Sequence, residues 1–366
     1  MGLLINASNL YVGGGVQVAV SLIQELVSNG VEFKAAISPK VQEQLCEKEL
    51  KQCILIKKTP SGIFNFKTRR LLNEIVKEYR IEKVLTIFGP SYWSPKNVMH
   101  VVGFALPWLI YDTSNIYAEL TLKQKIKFQI LKIIQPYFYK KNADVIVTET
   151  EDVNHRVRSL LGYPDEKVVT ISNTLNKKMI SADICDDSLG RFLPVKNNED
   201  IYLLTISHNY PHKNLKVIKS LLKKLPNNYK FILTVNDDFL LDIPIEMHDR
   251  VYCIGFARLN QCAYLYKFCD AVFLPTILEC FSASYLESMY FNRVILTSDL
   301  PFARTICGDS AAYFNPYNED DIALTIQAVF NDVNFRGLLL ENSKRQLSLY
   351  PTPNDRAGQY IDQLNK

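Results

Sequence analysis

The sequence predicts an α/β protein of two successive Rossmann-like domains, each built on a doubly wound parallel sheet. Short apolar runs alternate with amphipathic stretches of helical length, and the alternation starts again after a polar segment at residues 186–200. The chain has 366 residues, whereas a single core rarely grows beyond about 250–300. Apolar residues make up 48% of the chain and charged residues 22%, as in ordinary globular proteins.

The first series of elements predicts a domain at residues 1–190. A strand at residues 3–5 leads through a glycine-rich turn into a helix at residues 16–27. Further strands are predicted at residues 33–37, 84–88, 100–104, 145–148 and 168–171. Since strands alternate with helices, we expect their sheet to be parallel.

The second series predicts a domain at residues 195–345. Its strands are expected at residues 201–206, 231–235, 251–254, 271–274 and 294–297, and its helices at residues 214–225, 261–268 and 283–290. Residues 354–366 should form a last helix. Parallel sheets bind ligands at the carboxyl ends of their strands, so we expect a ligand between two such edges that face each other across a cleft.

Charge and composition exclude several classes of protein. The net charge of +4 suits anionic small molecules or an anionic membrane surface, and it lacks the basic clustering that would predict nucleic-acid binding. The eight cysteines form no C-x-x-C pair or zinc spacing, which favours reduced thiols in the cytoplasm. The opening residues do not resemble a signal peptide, and no apolar run is long enough to predict a transmembrane helix.

The strongest candidate site lies where a buried strand ends at Pro275 and a helix starts near Ser282. Free N–H groups at a helix start attract phosphate oxygens. The carboxylate of Glu279, just before the helix, is placed to bind sugar hydroxyls, and Glu287 in the second turn is placed to reach a ribose diol. The pattern alone gives equal weight to a structural interpretation, in which Ser282 caps the helix and Glu287 faces solvent.

A second candidate is the run Gly13, Gly14, Gly15 and Val16, between the first strand and the first helix. Consecutive glycines let the backbone approach a ligand closely, and the helix start that follows attracts anions. We therefore favour contact with a phosphate or an acceptor over a turn that is merely flexible. The run is not G-x-G-x-x-G, so the dinucleotide fingerprint is absent.

Residues 122–139 read as a basic amphipathic helix that Pro136 interrupts. Such a helix either lies on a membrane surface or docks on its own domain, and docking is the commoner case. The acidic residues Asp237 and Asp238 do not have metal-binding spacing and read as a turn after a strand. We therefore predict no metal and no other cofactor.

Several short motifs occur in one order along the chain. Residues 145–150 and 168–173, the latter ending in Asn173, precede a P-x-K-N segment that contains Lys213, and the pair Glu279 and Glu287 follows. Together they resemble the GT4 family of retaining glycosyltransferases, which have the GT-B fold, in particular the enzymes of bacterial surface polysaccharide and O-antigen synthesis. Gly255 and Phe256 stand where that family places a base-contacting loop.

The resemblance implies a role for each matching residue. Glu279 would contact the donor sugar, and Lys213 would neutralise the leaving diphosphate, so these two are the predicted catalytic residues. The remaining donor-binding residues it implies are Glu287, Phe281, Ser282, Ala283, Gly255, Phe256, His208, His212 and Asn173. The family usually has an arginine where Ser207 and His208 stand, so His208 or His212 would supply the missing contact.

The resemblance also implies an activity and its partners. The chain would transfer a hexose from a nucleotide diphosphate sugar, UDP being favoured over GDP, to a glycan or a polyprenyl-diphosphate-linked saccharide. The first domain would bind the acceptor, and the terminal helix at residues 346–366 would cross back to it. We expect a cytoplasmic protein, peripheral on the inner face of the membrane. Two alternatives remain, a UDP-sugar epimerase of the same architecture and a non-catalytic nucleotide- or sugar-binding protein.

Overall fold

The computed structural model describes residues 2–62, 64–180 and 186–366. The chain divides into two compact units, one of Met1–Asn176 with Pro351–Lys366 and one of Lys177–Tyr350. The change of unit therefore falls at residue 177, ahead of the 190 that the sequence predicts. Residues 186–188 already belong to the second unit, where the N–H of Asp186 donates to the carbonyl of Asn260 at 3.3 Å.

Within the described residues, each unit contains one parallel sheet. The strands of the first unit are β1 (Gly2–Ala7), β2 (Lys34–Ile37), β3 (Cys53–Leu55), β4 (Ile81–Thr86), β5 (Met99–Gly103), β6 (Val145–Thr148) and β7 (Val168–Thr170). The strands of the second unit are β8 (Ile201–Thr205), β9 (Tyr229–Leu233), β10 (Val251–Cys253), β11 (Ala271–Leu274), β12 (Val294–Ser298) and β13 (Ala311–Phe314). The spatial orders are β3-β2-β1-β4-β5-β6-β7 and β10-β9-β8-β11-β12-β13, which confirms two doubly wound α/β domains.

Helices connect these strands. The helices of the first unit are α1 (Gly14–Ser28), α2 (Pro39–Gln42), α3 (Glu47–Leu50), α4 (Phe66–Glu78), α5 (Ser114–Glu119), α6 (Leu122–Asn142) and α7 (Glu151–Leu161). The second unit contains α8 (Lys177–Ile180), α9 (Val217–Lys224), α10 (Leu259–Phe268), α11 (Ala283–Tyr290), α12 (Pro301–Cys307), α13 (Glu319–Asn331) and α14 (Val333–Leu347), and α15 (Pro353–Asn365) returns to the first unit. Among the described helices, none has the length and apolarity that a bilayer crossing needs.

The central strands of both sheets are buried because helices cover them. In the second unit, three phenylalanines from β9, β11 and β13 lie in one row, with ring centroids 5.8 Å apart for Phe231 and Phe273 and 5.7 Å apart for Phe273 and Phe314. All three are fully buried in the core that α9 and α13 complete. Burial of such a side chain contributes roughly 1.5–3 kcal/mol, so this row fixes the sheet that carries the candidate site.

Helix α6 differs from the prediction of an interruption at Pro136, because one helix runs from Leu122 to Asn142. Two side chains near its C-terminal end hold the helix to the rest of the first unit. The Tyr139 hydroxyl donates to the carbonyl of Gly103 at 3.2 Å, and the Asn142 amide donates to the carbonyl of Ser91 at 2.7 Å. These buried contacts offset the hydrogen bond that a proline removes from a helix interior.

The last helix, α15, packs against α1 in the first unit. It begins with a reciprocal cap, in which the Thr352 N–H donates to Asp355 at 3.1 Å and the Asp355 N–H donates back to the Thr352 hydroxyl at 3.2 Å. The guanidinium of Arg356 is 2% exposed and donates to the side chains of Asn173 at 2.6 Å and Ser21 at 2.8 Å. Arg356 therefore ties the end of the chain to two separate parts of the first unit.

Candidate active site

The turns after β8 and β11 meet at the centre of the second sheet. These strands are neighbours, and the chain winds outward from them in opposite directions, through β9 on one side and β12 on the other. Such a reversal opens a crevice at the carboxyl edge of the sheet, where doubly wound proteins bind ligands. The predicted catalytic residues lie on these turns, Lys213 after β8 and Glu279 after β11.

Lys213 and Glu279 form an ion pair between the Nζ and Oε1 atoms. Their side chains are 20% and 14% exposed, so solvent screens the pair less than it screens a surface pair. The two turns are also joined through the backbone, because the Ile277 N–H donates to the carbonyl of His212 at 2.8 Å and the Thr276 hydroxyl donates to the same oxygen at 3.1 Å. The structure thus brings both predicted catalytic residues together on turns that hold one another.

Asn214 sets the position of Lys213, a role that the sequence analysis did not assign. A short 3₁₀ segment, Pro211–Lys213, ends at Asn214, whose φ of 55° lies in the left-handed region that asparagine tolerates well. The Asn214 amide donates to the carbonyl of Pro316 at 3.0 Å. Its place directly after Lys213 in the P-x-K-N segment is the feature of the sequence that could have indicated this role.

His208 and His212 flank Tyr210 in a row of rings before Lys213. The ring centroids of His208 and Tyr210 are 5.3 Å apart, and those of Tyr210 and His212 are 5.6 Å apart in a stacked arrangement. Burial lowers the pKa of His212 below its usual 6.5, an effect that Glu279 opposes and Lys213 reinforces. His212 is therefore neutral at pH 7 and offers a hydrogen bond there, while Lys213 supplies the positive charge.

The start of α11 is open to solvent beside Glu279. Ser282 occupies the N-cap position, but its side chain makes no capping hydrogen bond. The interpretation of Ser282 as a side-chain cap is therefore wrong. Ala283 is exposed, and Phe281 packs edge-on against Tyr350 at 6.2 Å between ring centroids. The first N–H groups of a helix lack partners within it, so this turn presents donors next to the ion pair.

Glu287 lies in the second turn of α11 and is buried, in contrast to the solvated position that the structural interpretation requires. Its Oε2 atom accepts a hydrogen bond of 2.6 Å from the Tyr266 hydroxyl of α10. Burial raises the pKa of the Glu287 carboxyl, although the bond from Tyr266 opposes that effect. Tyr266 is a second residue that the sequence analysis missed, since its position in a helix carries no signal of this contact.

Gly255 and Phe256 follow β10, which is separated from β8 by β9 in the sheet. Gly255 has a φ of 69°, and a Cβ added there would meet no neighbouring atom within 4 Å. A side chain at this position is therefore disfavoured by backbone strain and not by lack of space. Phe256 is 75% exposed, so its ring face is open at the edge of the sheet.

The other predicted contacts belong to the first unit. Gly13 and Gly14 are exposed at the start of α1, and Gly13 has a φ of 69°. Val16 is buried in the core, and its N–H donates to the carbonyl of Gly13 at 3.2 Å. The Oδ1 atom of Asn173 accepts from the Thr174 N–H at 2.8 Å and from Arg356, so the amide of this residue serves the packing of α15. Gly15 lies against Leu10 and Phe88.

Residues 190–346 match the family described as Glycosyl transferases group 1. The O-antigen chain mannosyltransferase RfbU of Salmonella typhimurium is 23% identical over 57% of this chain and 56% of its own length. A Campylobacter jejuni α-1,4-N-acetyl-D-galactosaminyltransferase, named for an acceptor saccharide on PP-undecaprenol, is 24% identical over 67% of this chain and 64% of its own length. Both matches span less than two thirds of the relatives.

Solved structures match nearly the whole chain. A glycosyltransferase from Rickettsia africae has a TM-score of 0.74 at 15% identity, covering 99% of this chain and 97% of its own. HepE of Anabaena, solved in complex with UDP, has a TM-score of 0.72 at 14% identity, covering 100% and 99%. WaaG, a glycosyltransferase of lipopolysaccharide biosynthesis, has a TM-score of 0.73 at 13% identity, covering 98% and 99%. The chain therefore has the GT-B fold, and most of its second unit is similar to group 1 glycosyltransferases.

Proposed function

We propose that the protein is a retaining GT4-type hexosyltransferase with a nucleotide diphosphate sugar as its donor. UDP is favoured as the nucleotide, since similar folds have been solved with UDP. The acceptor is a hydroxyl of a glycan or of a polyprenyl-diphosphate-linked saccharide, in O-antigen or related surface polysaccharide synthesis. The observation that carries this proposal is the ion pair of Lys213 and Glu279 beside the open start of α11.

The chemistry of that turn suits a diphosphate leaving group. When the sugar–phosphate bond breaks, negative charge develops on the diphosphate, and a fixed ammonium and helix N–H groups stabilise it. The Lys213 ammonium and the backbone of Ser282 and Ala283 are the groups of this kind on adjoining turns. Glu279 accepts hydrogen bonds from the sugar hydroxyls, and Glu287 holds the ribose on the other side of the diphosphate.

Retention of configuration follows if the acceptor attacks the face that the diphosphate leaves. The bond from C1 to the diphosphate oxygen breaks, the bond from C1 to the acceptor oxygen forms on the same face, and the acceptor proton passes to the diphosphate. The leaving group acts as the base in this scheme, so the protein need not supply one. The anomeric configuration of the product, read by NMR coupling constants, tests this step against inversion.

A nucleotide-sugar screen tests the proposed function. Binding to the native state raises stability by about 2.7 kcal/mol when the ligand is at 100 times its Kd, so each UDP- or GDP-sugar is scored by thermal shift. We expect UDP and one UDP-sugar to stabilise the wild type and the Lys219→Ala control, which removes an exposed lysine of α9, but not Lys213→Ala. Stabilisation that Lys213→Ala leaves intact, or turnover of the donor into an epimer without acceptor, would refute the proposal.

We further propose that catalysis needs no divalent metal. Lys213 and the start of α11 already supply positive potential where a metal would otherwise neutralise the diphosphate. Transfer is therefore expected to continue in excess EDTA at close to its full rate. A loss of more than about tenfold, restored by Mg²⁺ or Mn²⁺, would assign that charge to a metal.

Association with an anionic membrane is the last part of the proposal, and α6 carries it. Leu122, Ile126, Ile130, Ile133 and Tyr137 are exposed along one side of this helix. The lysines beside or within that stripe are also exposed, at positions 123, 127, 140 and 141. Apolar side chains enter the headgroup region while flanking lysines meet anionic lipid, so this stripe matches the cytoplasmic leaflet where a polyprenyl-linked acceptor is held.

Sedimentation with vesicles tests the stripe. The wild type should bind vesicles that contain phosphatidylglycerol more strongly than phosphatidylcholine vesicles, and binding should weaken at high salt. Ile126→Glu with Ile133→Glu should abolish binding, whereas Leu324→Glu, at an exposed apolar position of α13 in the second unit, should leave it unchanged. Equal sedimentation of the α6 double variant and the wild type would remove α6 from the proposal.

A further inference from the structure

A cavity of about 220 Å³ lies in the first unit, between α6 and the segment that connects β5 to α5. Its lining includes Tyr111, Asp112, Tyr117, Phe128, Gln129 and Lys132. Ligand sites for larger molecules span about 300–1,000 Å³, so this cavity has the size of a single ring. None of its lining residues belongs to the turns that carry Lys213 and Glu279.

The aromatic side of the cavity is held in place by its neighbours. The Phe128 ring lies between Trp108, at 5.0 Å between centroids, and Tyr117, at 5.6 Å. Tyr111 donates to Asp152 of α7 at 2.5 Å, and the guanidinium of Arg156 lies 4.5 Å from the centre of the Tyr111 ring. The Lys132 ammonium covers one face of the Phe128 ring, 5.0 Å from its centre. Rings fixed in this way lose little side-chain freedom when a ligand binds.

Polar groups of three kinds stand beside these rings. Asp112 accepts from the N–H and hydroxyl of Ser114 through Oδ1, at 2.9 and 2.5 Å, which lowers the pKa of its carboxyl and keeps it ionised. The Lys132 ammonium lies 3.4 Å from the Thr113 hydroxyl, and Gln129 is exposed. A carboxylate, an amide and an ammonium provide both acceptors and donors, which suits the hydroxyls of a sugar whose C–H face packs on an aromatic ring.

The cavity lies beyond the carboxyl edge of the first sheet. Tyr139 contacts Gly103 at the carboxyl end of β5, and Phe128 and Gln129 lie about 15 Å further along α6, beyond that edge of the sheet. The apolar stripe of α6 occupies the opposite side of the helix from Phe128 and Lys132. A saccharide linked to a membrane lipid would therefore pass close to this cavity.

We propose that this cavity is a binding subsite for one sugar ring of the saccharide acceptor. The inference rests on the proposed transferase function, but it concerns a separate site in the other unit. Asp112 and Gln129 bind hydroxyls of the ring, and Phe128 packs against its C–H face. The positive charge of Lys132 allows neutral or acidic sugars to bind and disfavours amino sugars with a free ammonium.

Saturation-transfer NMR on the full chain tests the subsite with a panel of methyl glycosides of glucose, galactose, mannose, N-acetylglucosamine and N-acetylgalactosamine. At least one glycoside should bind the wild type in the presence of UDP. Gln129→Ala and Asp112→Asn should each weaken its binding about tenfold, as the loss of one hydrogen bond to a charged or well-placed group predicts. The control Asn115→Ala, at an exposed amide of α5 outside the lining, should bind as the wild type does.

The outcomes separate the two proposals. The subsite proposal is overturned if both variants leave glycoside binding unchanged, or if no glycoside binds at all. Either result holds even if UDP still stabilises the protein. Loss of glycoside binding in both variants supports the subsite even if no donor is found. In the transferase assay the same variants should raise the KM for acceptor and leave the KM for donor unchanged, which a general loss of folding would not do.

Discussion

The Lys213 ammonium is paired with the Glu279 carboxylate across the turns that follow β8 and β11. These two residues have different roles in the proposed reaction, since Lys213 binds the diphosphate and Glu279 binds the sugar. Their pairing holds both charges at the carboxyl edge of the sheet, and each charge lowers the cost of partly burying the other. A bound diphosphate would then compete with Glu279 for Lys213.

Replacing Lys213 with alanine should lower kcat about 10²–10³-fold, the usual cost of losing one group that stabilises charge in the transition state. The Lys219→Ala variant has the same change in net charge and should keep full activity. Steady-state kinetics at saturating donor provide the measurement. A Lys213→Ala enzyme within threefold of the wild type would show that the ammonium does not stabilise the leaving group.

The Glu279→Gln substitution separates binding of the nucleotide from binding of the sugar. Because the neutral amide no longer pairs with Lys213, affinity for UDP itself should stay equal or rise, while kcat for the nucleotide sugar falls by about 100-fold or more. Calorimetric titration with UDP and initial rates with the UDP-sugar give the two quantities. Equal losses in both would show that Glu279 serves nucleotide binding, through the position of Lys213, and does not bind the sugar.

Glu287 should make stability depend on pH. Burial raises the pKa of its carboxyl in the folded state above the reference value of 4.5. The folded state therefore binds more protons than the unfolded state in that interval, and stability falls as pH rises from about 4.5 through the folded pKa. The Glu287→Gln variant lacks this loss, so thermal melts should show its advantage over the wild type growing from pH 4 to pH 7.

The same variant tests the proposed ribose contact. If Glu287 holds the ribose, the stabilisation that UDP gives the wild type should shrink in Glu287→Gln at pH 7, even though the unliganded variant is not weakened. Tyr266→Phe, which removes only the hydrogen bond of 2.6 Å to Oε2, is the matched comparison and should retain most of the UDP effect. An unchanged UDP effect in Glu287→Gln would leave Glu287 a structural residue.

Arg356 should be among the most costly residues to remove in α15. Its guanidinium is buried against Asn173 and Ser21, and Glu25 and Glu149 are charges close enough to act on it. Removing one partner from a buried charge cluster usually costs about 3–5 kcal/mol. Arg356→Ala should therefore lower the free energy of unfolding of the first unit, measured by urea titration, by that amount. A change below about 1 kcal/mol would show that α15 does not depend on this contact.

Local patterns of residues were enough to predict the turn that carries the site. The strand at residues 271–274 and the helix at residues 283–290 have the predicted bounds, because four buried apolar residues stand between Asp270 and Pro275. β3 and β13 were not predicted. The first is a three-residue strand at the edge of its sheet with only partial burial, and the second starts with two alanines, which have weak strand propensity.

Contacts between distant segments account for what the sequence left open. Lys213 and Glu279 meet only because β8 and β11 are neighbours, which follows from the winding of the whole sheet and not from the spacing of the two residues. The bond from Tyr266 to Glu287 likewise joins two helices. The continuity of α6 at Pro136 depends on Tyr139 and Asn142, which contact segments far from them in the chain.

A crystal structure of the full chain with UDP tests the proposed donor site most directly. The phosphate oxygens should lie within hydrogen-bond distance of Lys213 Nζ and of the backbone N–H groups of Ser282 and Ala283, with the ribose hydroxyls at Glu287. Density for the diphosphate away from Lys213 and the start of α11 would contradict it.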